Sequence, residues 1–417
     1  MRIRILKLCL IFVIVVFLTV PTTAEKGRIY GKIYTDAGDV LEGPIRWDVN
    51  ESSWDDMIDG NKKHEKKKSD SNQRKKYRDR RSSSRVKLFG ITIGETDIFY
   101  SSSSQMALPF GFIKKLTPIA DNGAELILQN GEEVGIEGSS TDLGTGIREI
   151  VIETSDEGLL ELDWYDIDYI EFMDGGDVES DFGEKIYGTV TSDRIGEFTG
   201  WIVWDVDESF TNDIIDGSDR RRKRKIKFGQ ITSIEKISSQ ASEITTKEGT
   251  AMRLDDSNDV DSGNRGIAIA DKNLGRITVE WNEFERLDIK TPPEDAFSSY
   301  SDYANYGRLS GTVYDEDGNE YSGYIKWDDD EEYGWEVIDG NYRDVEFDIV
   351  MRNIKSIEKL SRSGSRVTLW DGRSFKLRGS NDVDDDNKGI FIYPKDDEDD
   401  EIIIEWEDFS RIEFEKQ

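Results

Sequence analysis

Sulfur and imidazole are almost missing from this chain. One cysteine, Cys9, and one histidine, His64, leave no material for a disulfide, a Cys-His or Ser-His-Asp nucleophile system, or a His/Cys zinc site. His64 stands in the charge run Asn61-Lys-Lys-His-Glu-Lys-Lys-Lys68 with no apolar neighbour, as a solvated loop residue does. No stretch shows a helical spacing of apolar residues, which argues against helix bundles and doubly wound folds. Basic residues are also scarce: 55 Lys and Arg face 88 Asp and Glu, for a net charge of −33. Most of such a surface repels nucleic acid and anionic membrane, so specific nucleic-acid recognition is not expected.

Only one long apolar run exists. Arg2, Arg4 and Lys7 precede Leu8 to Val20, and Thr22-Thr23-Ala24 follows, so residues 1–24 read as a secretory signal peptide. The apolar run is 13 residues long, whereas a membrane span needs about 20. Cys9 lies inside it without a small-residue lipobox, which disfavours a lipid anchor. The expectation is an exported protein of the periplasm, cell surface or extracellular space, with no transmembrane span after cleavage. Acidity alone would suit a disordered chain, but 10 Trp, 16 Tyr and 18 Phe in patterned positions argue for packed cores.

The pattern is a triplication. Gly31, Gly43, Trp47 and Asp59-Gly60 recur with identical spacing as Gly188, Gly200, Trp204, Asp216-Gly217 and as Gly311, Gly323, Trp327, Asp339-Gly340. Three units follow, over 27–173, 184–290 and 306–415, joined by linkers 174–183 and 291–305. Unit 3 divides into nine short alternating runs: Arg308 to Tyr314, Gly323 to Trp327, Val345 to Val350, Ile354 to Leu360, Val367 to Trp370, Ser374 to Leu377, Gly389 to Tyr393, Ile402 to Trp406 and Phe409 to Phe414. This predicts an all-β fold of short antiparallel strands, small-barrel or sandwich-like, with Asp-Gly marking turns. Ile45 and Trp47, Ile202 and Trp204, and Ile325 and Trp327 are two apart, so each pair faces one side of a strand and belongs in a core. So do Trp164, Trp281 and Trp406. Each unit also carries an internal echo, ending in Ile357-Glu358 and again in Ile412-Glu413. That rhythm resembles two five-stranded halves of the SH3-like or Sm-like kind.

Two acidic motifs are candidates for a hard cation such as Ca²⁺, which takes six to eight oxygens. The first follows each tryptophan: Asp48, Asn50, Glu51 in unit 1, Asp205, Asp207, Glu208 in unit 2 and Asp328, Asp330, Glu331 in unit 3. The second is a later loop, with Asp259 and Asp261 in unit 2 and Asp382, Asp384 and Asp386 in unit 3. In unit 1 that loop reads Thr141-Asp-Leu-Gly-Thr-Gly-Ile147, which leaves it the weakest candidate. Arg148, Arg265 and Lys388 stand at one place beside the loop and compete with a metal by neutralising it. The same carboxylates can also serve as turn caps. No pair is singled out as a glycosidase pair, and no cofactor other than Ca²⁺ is suggested.

The units differ most after Asp-Gly. Unit 1 has 36 extra residues there, and 61–85 holds twelve Lys and Arg against three acids, so 61–104 is expected to be a basic, disordered insertion. Lys62, Lys63, Lys66, Lys67, Lys68, Arg74, Lys75 and Lys76 are its candidate contacts. Unit 2 carries Arg220, Arg221, Arg222, Lys223, Arg224 and Lys225 at the same place. Basic loops on an acidic body suit a polyanionic envelope component, a protein partner, or a second copy of the chain. The sequence thus describes a non-enzymatic interaction or scaffold protein, with calcium-dependent binding or adhesion as the alternative.

Overall fold

A computed structural model describes residues 26–62, 87–88, 91–92 and 104–417, except 120, 139–140, 176–179, 193, 305 and 399. The expected signal peptide 1–24, His64 and the candidate contacts Lys63, Lys66, Lys67, Lys68, Arg74, Lys75 and Lys76 lie outside the described residues. Within them the chain is all β, with short 3-10 turns and no α-helix. No helix among the described residues is long and apolar enough to cross a membrane.

Each unit has the same ten strands. In unit 1 they are β1 (Tyr30–Thr35), β2 (Val40–Trp47), β3 (Met57–Lys62), β4 (Ser104–Pro109), β5 (Ile113–Ile119), β6 (Gly123–Leu128), β7 (Glu133–Glu137), β8 (Ile150–Thr154), β9 (Gly158–Leu162) and β10 (Ile167–Phe172). Between β3 and β4, Lys87–Leu88 pairs with Ile91–Thr92. In unit 2 they are β1 (Tyr187–Ser192), β2 (Gly196–Trp204), β3 (Ile214–Asp219), β4 (Arg222–Lys227), β5 (Ile231–Ser238), β6 (Ala241–Thr246), β7 (Ala251–Asp255), β8 (Ile267–Asp271), β9 (Gly275–Val279) and β10 (Arg286–Ile289). In unit 3 they are β1 (Ser310–Asp315), β2 (Glu320–Trp327), β3 (Val337–Asn341), β4 (Val345–Val350), β5 (Ile354–Ser361), β6 (Gly364–Leu369), β7 (Ser374–Leu377), β8 (Ile390–Tyr393), β9 (Ile402–Ile404) and β10 (Phe409–Phe414).

The order across each unit is β4-β3-β7-β6-β5-β10-β1-β2-β8-β9, all antiparallel. In unit 3 the β3–β7 link is a single bridge between Asn341 and Arg378. The two halves suggested by the sequence echo are present, since β1 to β5 and β6 to β10 each run hairpin, hairpin, single strand. They do not close separately, however. The β3–β4 hairpin of the first half docks on β7 of the second, and the β8–β9 hairpin of the second docks on β2 of the first. Equivalent residues of the two halves face each other where β5 meets β10: Leu116 and Ile170, Ile234 and Leu287, Ile357 and Ile412. That is the pairing an approximate twofold axis produces.

The repeated glycines have a steric cause. Gly31 pairs with Gly43, Gly188 with Gly200 and Gly311 with Gly323. A Cβ on Gly43 would stand 1.8 Å from the Glu153 carbonyl oxygen, and one on Gly323 2.3 Å from that of Tyr393. The Asp-Gly pairs correct the sequence reading. They lie inside β3 and make no turn, because β3 presses on β7 there: a Cβ on Gly60 would meet Ile136 at 2.7 Å, and one on Gly340 would meet Leu377 at 3.0 Å. Taking Asp339-Gly340 for a turn is why the tenth strand of unit 3 was not expected.

Trp47, Trp204 and Trp327 are fully buried. Each meets a second tryptophan edge-on, Trp164, Trp281 or Trp406, at 6.2 to 6.3 Å. Burying one such side chain contributes about 1.5–3 kcal/mol. Units 2 and 3 share one core, because β9 of unit 2 pairs with β4 of unit 3 and continues the sheet. Unit 1 has its own core, completed by Trp335 and Val350 of unit 3 and by Tyr303 of the connector 291–305. Arg276 of unit 2 ties all three units together, reaching Asp59 of unit 1 at 2.7 Å and Asp348 of unit 3 at 2.8 Å.

Candidate functional site

The two acidic motifs are one site. Because β2 pairs with β8, the turn after the tryptophan and the later loop before β8 arrive at the same end of the sheet, and they lock together identically three times. Trp47 Nε1 donates to the Asp142 carbonyl, Trp204 to that of Asp259 and Trp327 to that of Asp382, each at 2.9 Å. The carboxylates of Asp142, Asp259 and Asp382 then accept from the backbone N–H of Asp59, Asp216 and Asp339 at 2.7 to 2.8 Å. The repeated Asp-Gly thus supplies a donor as well as a glycine.

The turn itself is strained. In every unit the tryptophan and the glutamate four residues on exchange backbone hydrogen bonds, closing the loop. Asp48 and Val49, Asp205 and Val206, and Asp328 and Asp329 take positive φ, between 42° and 79°. The left-handed region costs an ordinary residue roughly 1–2 kcal/mol, so the fold holds this geometry against local preference.

What the strain positions is a carboxylate triad: Asp48, Glu51, Asp142; Asp205, Glu208, Asp259; Asp328, Glu331, Asp382. In unit 2 one oxygen from each carboxylate lies within 4.8 Å of the other two. The first aspartate of each triad is paired with a cation. Asp48 holds Arg148 at 3.0 Å, Asp205 holds Arg265 at 3.0 Å, and Asp328 has Lys388 at 4.0 Å. The glutamate is not. Among the described residues, Glu51 Oε2, Glu208 Oε2 and Glu331 Oε2 are buried without a hydrogen-bond partner, and so is Asp330 Oδ1. Burial first, then the neighbouring aspartates, pushes Glu208 up to about 8 and Glu51 and Glu331 well above the carboxylate range. Burial likewise raises Asp259 to about 6, Asp142 to about 7 and Asp382 well above its ordinary value. Such a group of acids holds either a proton or a cation.

The remaining candidates fall outside the triads. Asp207 is bonded by Arg148 of unit 1 and by Arg265. Asp261 accepts from the Gly263 N–H and Asp384 from that of Asp386, so both tighten their own loop, and Asp386 is exposed. Unit 1, set aside on the sequence because its loop has few acids, keeps the full triad. The acid that points inward is Asp142, which matches Asp259 and Asp382 in position, and counting acids along the loop misses it. The unit 1 triad opens on a cleft of about 470 Å³ against unit 2. The unit 3 triad opens on one of about 660 Å³ against β3 and β4 of unit 1.

The basic candidates divide as well. Lys62 is taken up inside the molecule, bonding Glu336 and the Asp330 carbonyl of unit 3. Arg220 to Lys225 are exposed to solvent. They form the tip of the β3–β4 hairpin and most of β4 in unit 2, and this strand ends its sheet with no second partner among the described residues. Comparison with family models, with curated proteins and with solved structures finds no match.

Proposed function

We propose that this is an exported, non-enzymatic scaffold or interaction protein of the cell envelope or extracellular space, whose basic loops in units 1 and 2 are its contact points. The observation that carries this reading is the unit 2 hairpin. On a body of net charge −33, six consecutive cationic side chains project from the tip of this hairpin and from its edge strand, whose outer side has no partner among the described residues. An edge strand offers free backbone donors and acceptors, and clustered cations draw an acidic partner at long range. The test exchanges Arg220 to Lys225 for serine and glutamine, and separately deletes 61–85. Retention on immobilised polyphosphate and in envelope extract is then measured at low and high salt. Both variants should lose low-salt retention; unchanged retention discards the proposal.

A second reading is favoured by the triads. Three unpartnered, buried glutamate oxygens, each beside two aspartates, suit cation-dependent binding or adhesion with Ca²⁺ as the ion. Unit 2 offers the tightest cluster, with Asp205, Glu208 and Asp259 as ligands. A melting midpoint that does not move between calcium and chelator abandons this reading.

A further inference from the structure

Within the molecule, β9 of one unit pairs with β4 of the next. The register is Gly275 with Ile349, Arg276 with Asp348, Ile277 with Phe347, Thr278 with Glu346 and Val279 with Val345. The pairing runs on past the strands, since the Glu280 N–H donates to the Asp344 carbonyl at 3.1 Å. Within it Arg276 Nε meets Asp348 Oδ2 at 2.8 Å. This joint uses one β9 and one β4. The β4 strand of unit 2 and the β9 strand of unit 3 stand at the ends of their sheets, each with its outer side unpaired among the described residues.

We infer that these two open edges are made for each other in different molecules: β4 of unit 2 in one copy adds to β9 of unit 3 in the next, head to tail, repeating the internal joint. This rests on reading the basic hairpin as a contact surface, and it names a second copy of this chain as the partner of the unit 2 hairpin.

The fold transfers the register from the Arg276 position onward; the Gly275 pair is not copied, because Asp400 stands there and a Cβ on Gly275 would lie 2.2 Å from the Asp348 carbonyl oxygen. Ile267 pairs with both Trp204 and Val279, and Ile390 with both Trp327 and Ile404, so Ile404 stands where Val279 does and Glu401 stands where Arg276 does. In the hairpins, Asp216 faces Lys225 and Asp339 faces Asp348, so Lys225 stands where Asp348 does. Copying the joint therefore sets Glu401 opposite Lys225, and one step beyond the strand Glu405 opposite Arg221. The ion pair of the internal joint reappears with its signs exchanged between the strands. On that face Glu401, Ile403 and Glu405 meet Lys225, Lys223 and Arg221, and six consecutive acids, Asp396 to Glu401, lead into β9. The exchanged signs also direct assembly. A β4 carrying Lys225 repels Arg276 of another copy and accepts Glu401. The other open β9, in unit 1, has Leu159 at this place and offers no charge there.

The other face differs from the internal joint. There Arg222 and Arg224 replace the buried Val345 and Phe347, so no apolar seam forms. Association rests on strand hydrogen bonds and ion pairs, and it is accordingly salt-labile. A head-to-tail contact of this kind builds open chains or closed rings.

The test is sedimentation velocity on the purified protein at 10–200 µM in low and high salt (on the order of 50 and 500 mM, chosen to span the screening range), beside retention on polyphosphate. The wild type should form concentration-dependent species larger than the 47.7 kDa chain at low salt and return to monomer at high salt. Lys225→Glu and Glu401→Lys should each weaken association by at least about tenfold, since like charges then face each other. Mixing the two variants should restore it, because each then meets an opposite charge at both joints, which a misfolded variant could not do. Leu159→Lys should change nothing. A wild type that stays monomeric while polyphosphate retains it overturns this inference and leaves the proposed function standing, whereas a monomer that polyphosphate does not retain overturns both. Lys225→Glu associating as the wild type does, or a mixture that fails to recover, also overturns the inference.

Discussion

The fourth strands of units 2 and 3 hold the same place in the same fold and meet opposite fates. In unit 3 it reads Val-Glu-Phe-Asp-Ile-Val, five of its six residues are buried, and it joins two units into one core. In unit 2 it reads Arg-Lys-Arg-Lys-Ile-Lys, only Ile226 is buried, and its outer edge has no partner among the described residues. Backbone topology therefore does not decide whether an edge is a seam or a surface. Side chains on both faces decide it, since an edge strand becomes interior only where apolar residues line the side its new neighbour covers.

The largest expected effect separates these fates by stability. Phe347→Ala removes a fully buried ring packed 5.9 Å from Phe198 and 4.9 Å from Phe375. It should cost about 3–5 kcal/mol in denaturant unfolding. Arg224→Ala, the same position in unit 2, should stay within about 0.5 kcal/mol. Because units 2 and 3 share a core, the wild type should lose both in one transition, while Phe347→Ala splits it. Equal costs at the two positions would break the comparison outright.

Next in size is the charge at the seam. Arg276 is three-quarters buried and faces Asp59 and Asp348. Arg276→Ala leaves both carboxylates without their guanidinium and should cost about 2–3 kcal/mol, below the 3–5 typical of a fully buried pair because the site is partly solvated. Calorimetry that finds no loss would mean that the seam is held by apolar packing alone.

Much of this fold was legible in the sequence. The Ile-x-Trp pairs announced an inward face, and the endings Ile357-Glu358 and Ile412-Glu413 announced two halves per unit. The exchange of hairpins between the halves was not, because β3 carries the same local pattern whether it docks on its own half or the other. The apolar residues on both faces of Val345 to Val350 did carry a signal of double burial, visible once the strand is set beside Arg222 to Lys227. The triads were half legible. Asp205 and Asp259 are 54 positions apart, and only the pairing of β2 with β8 brings them together. In unit 1 the loss of surface acids around Asp142 concealed that the inward one is kept.

A smaller effect concerns the triads, where pH and a cation should compete. Glu208 sits at about 8 against its ordinary 4.5, so the folded chain binds this proton more tightly than the unfolded chain. That contribution is complete below about pH 4.5 and is lost as pH rises through about 8. Stability without added metal should therefore fall across this window, and the loss should be smaller in Glu208→Gln, which keeps a neutral side chain. Calcium replaces the proton, so its gain in melting midpoint should be larger at pH 8 than at pH 5.5, approaching the equivalent of about 2.7 kcal/mol at 100 times the dissociation constant. Glu208→Gln should remove most of the unit 2 share. A calcium shift that is the same in wild type and variant would take unit 2 out of the cation reading.

The smallest effect returns to the unit 2 hairpin. Arg220 and Arg221 form its two-residue tip with φ of 50° and 68°, between paired Asp219 and Arg222. Two positive φ values in a two-residue loop define the turn that Asn-Gly fills best, and arginine fits it poorly. The double change Arg220→Asn with Arg221→Gly should therefore raise stability, by at most about 1 kcal/mol, since the relief of left-handed strain is partly offset by the entropy glycine loses on folding. The same change removes two cations from the contact surface and should lower low-salt polyphosphate retention. A variant that is more stable but retained less would show that these arginines are kept for what they touch, at the expense of the turn they occupy. Loss of stability would instead place them in the fold, and the two fourth strands would then differ less than their sequences suggest.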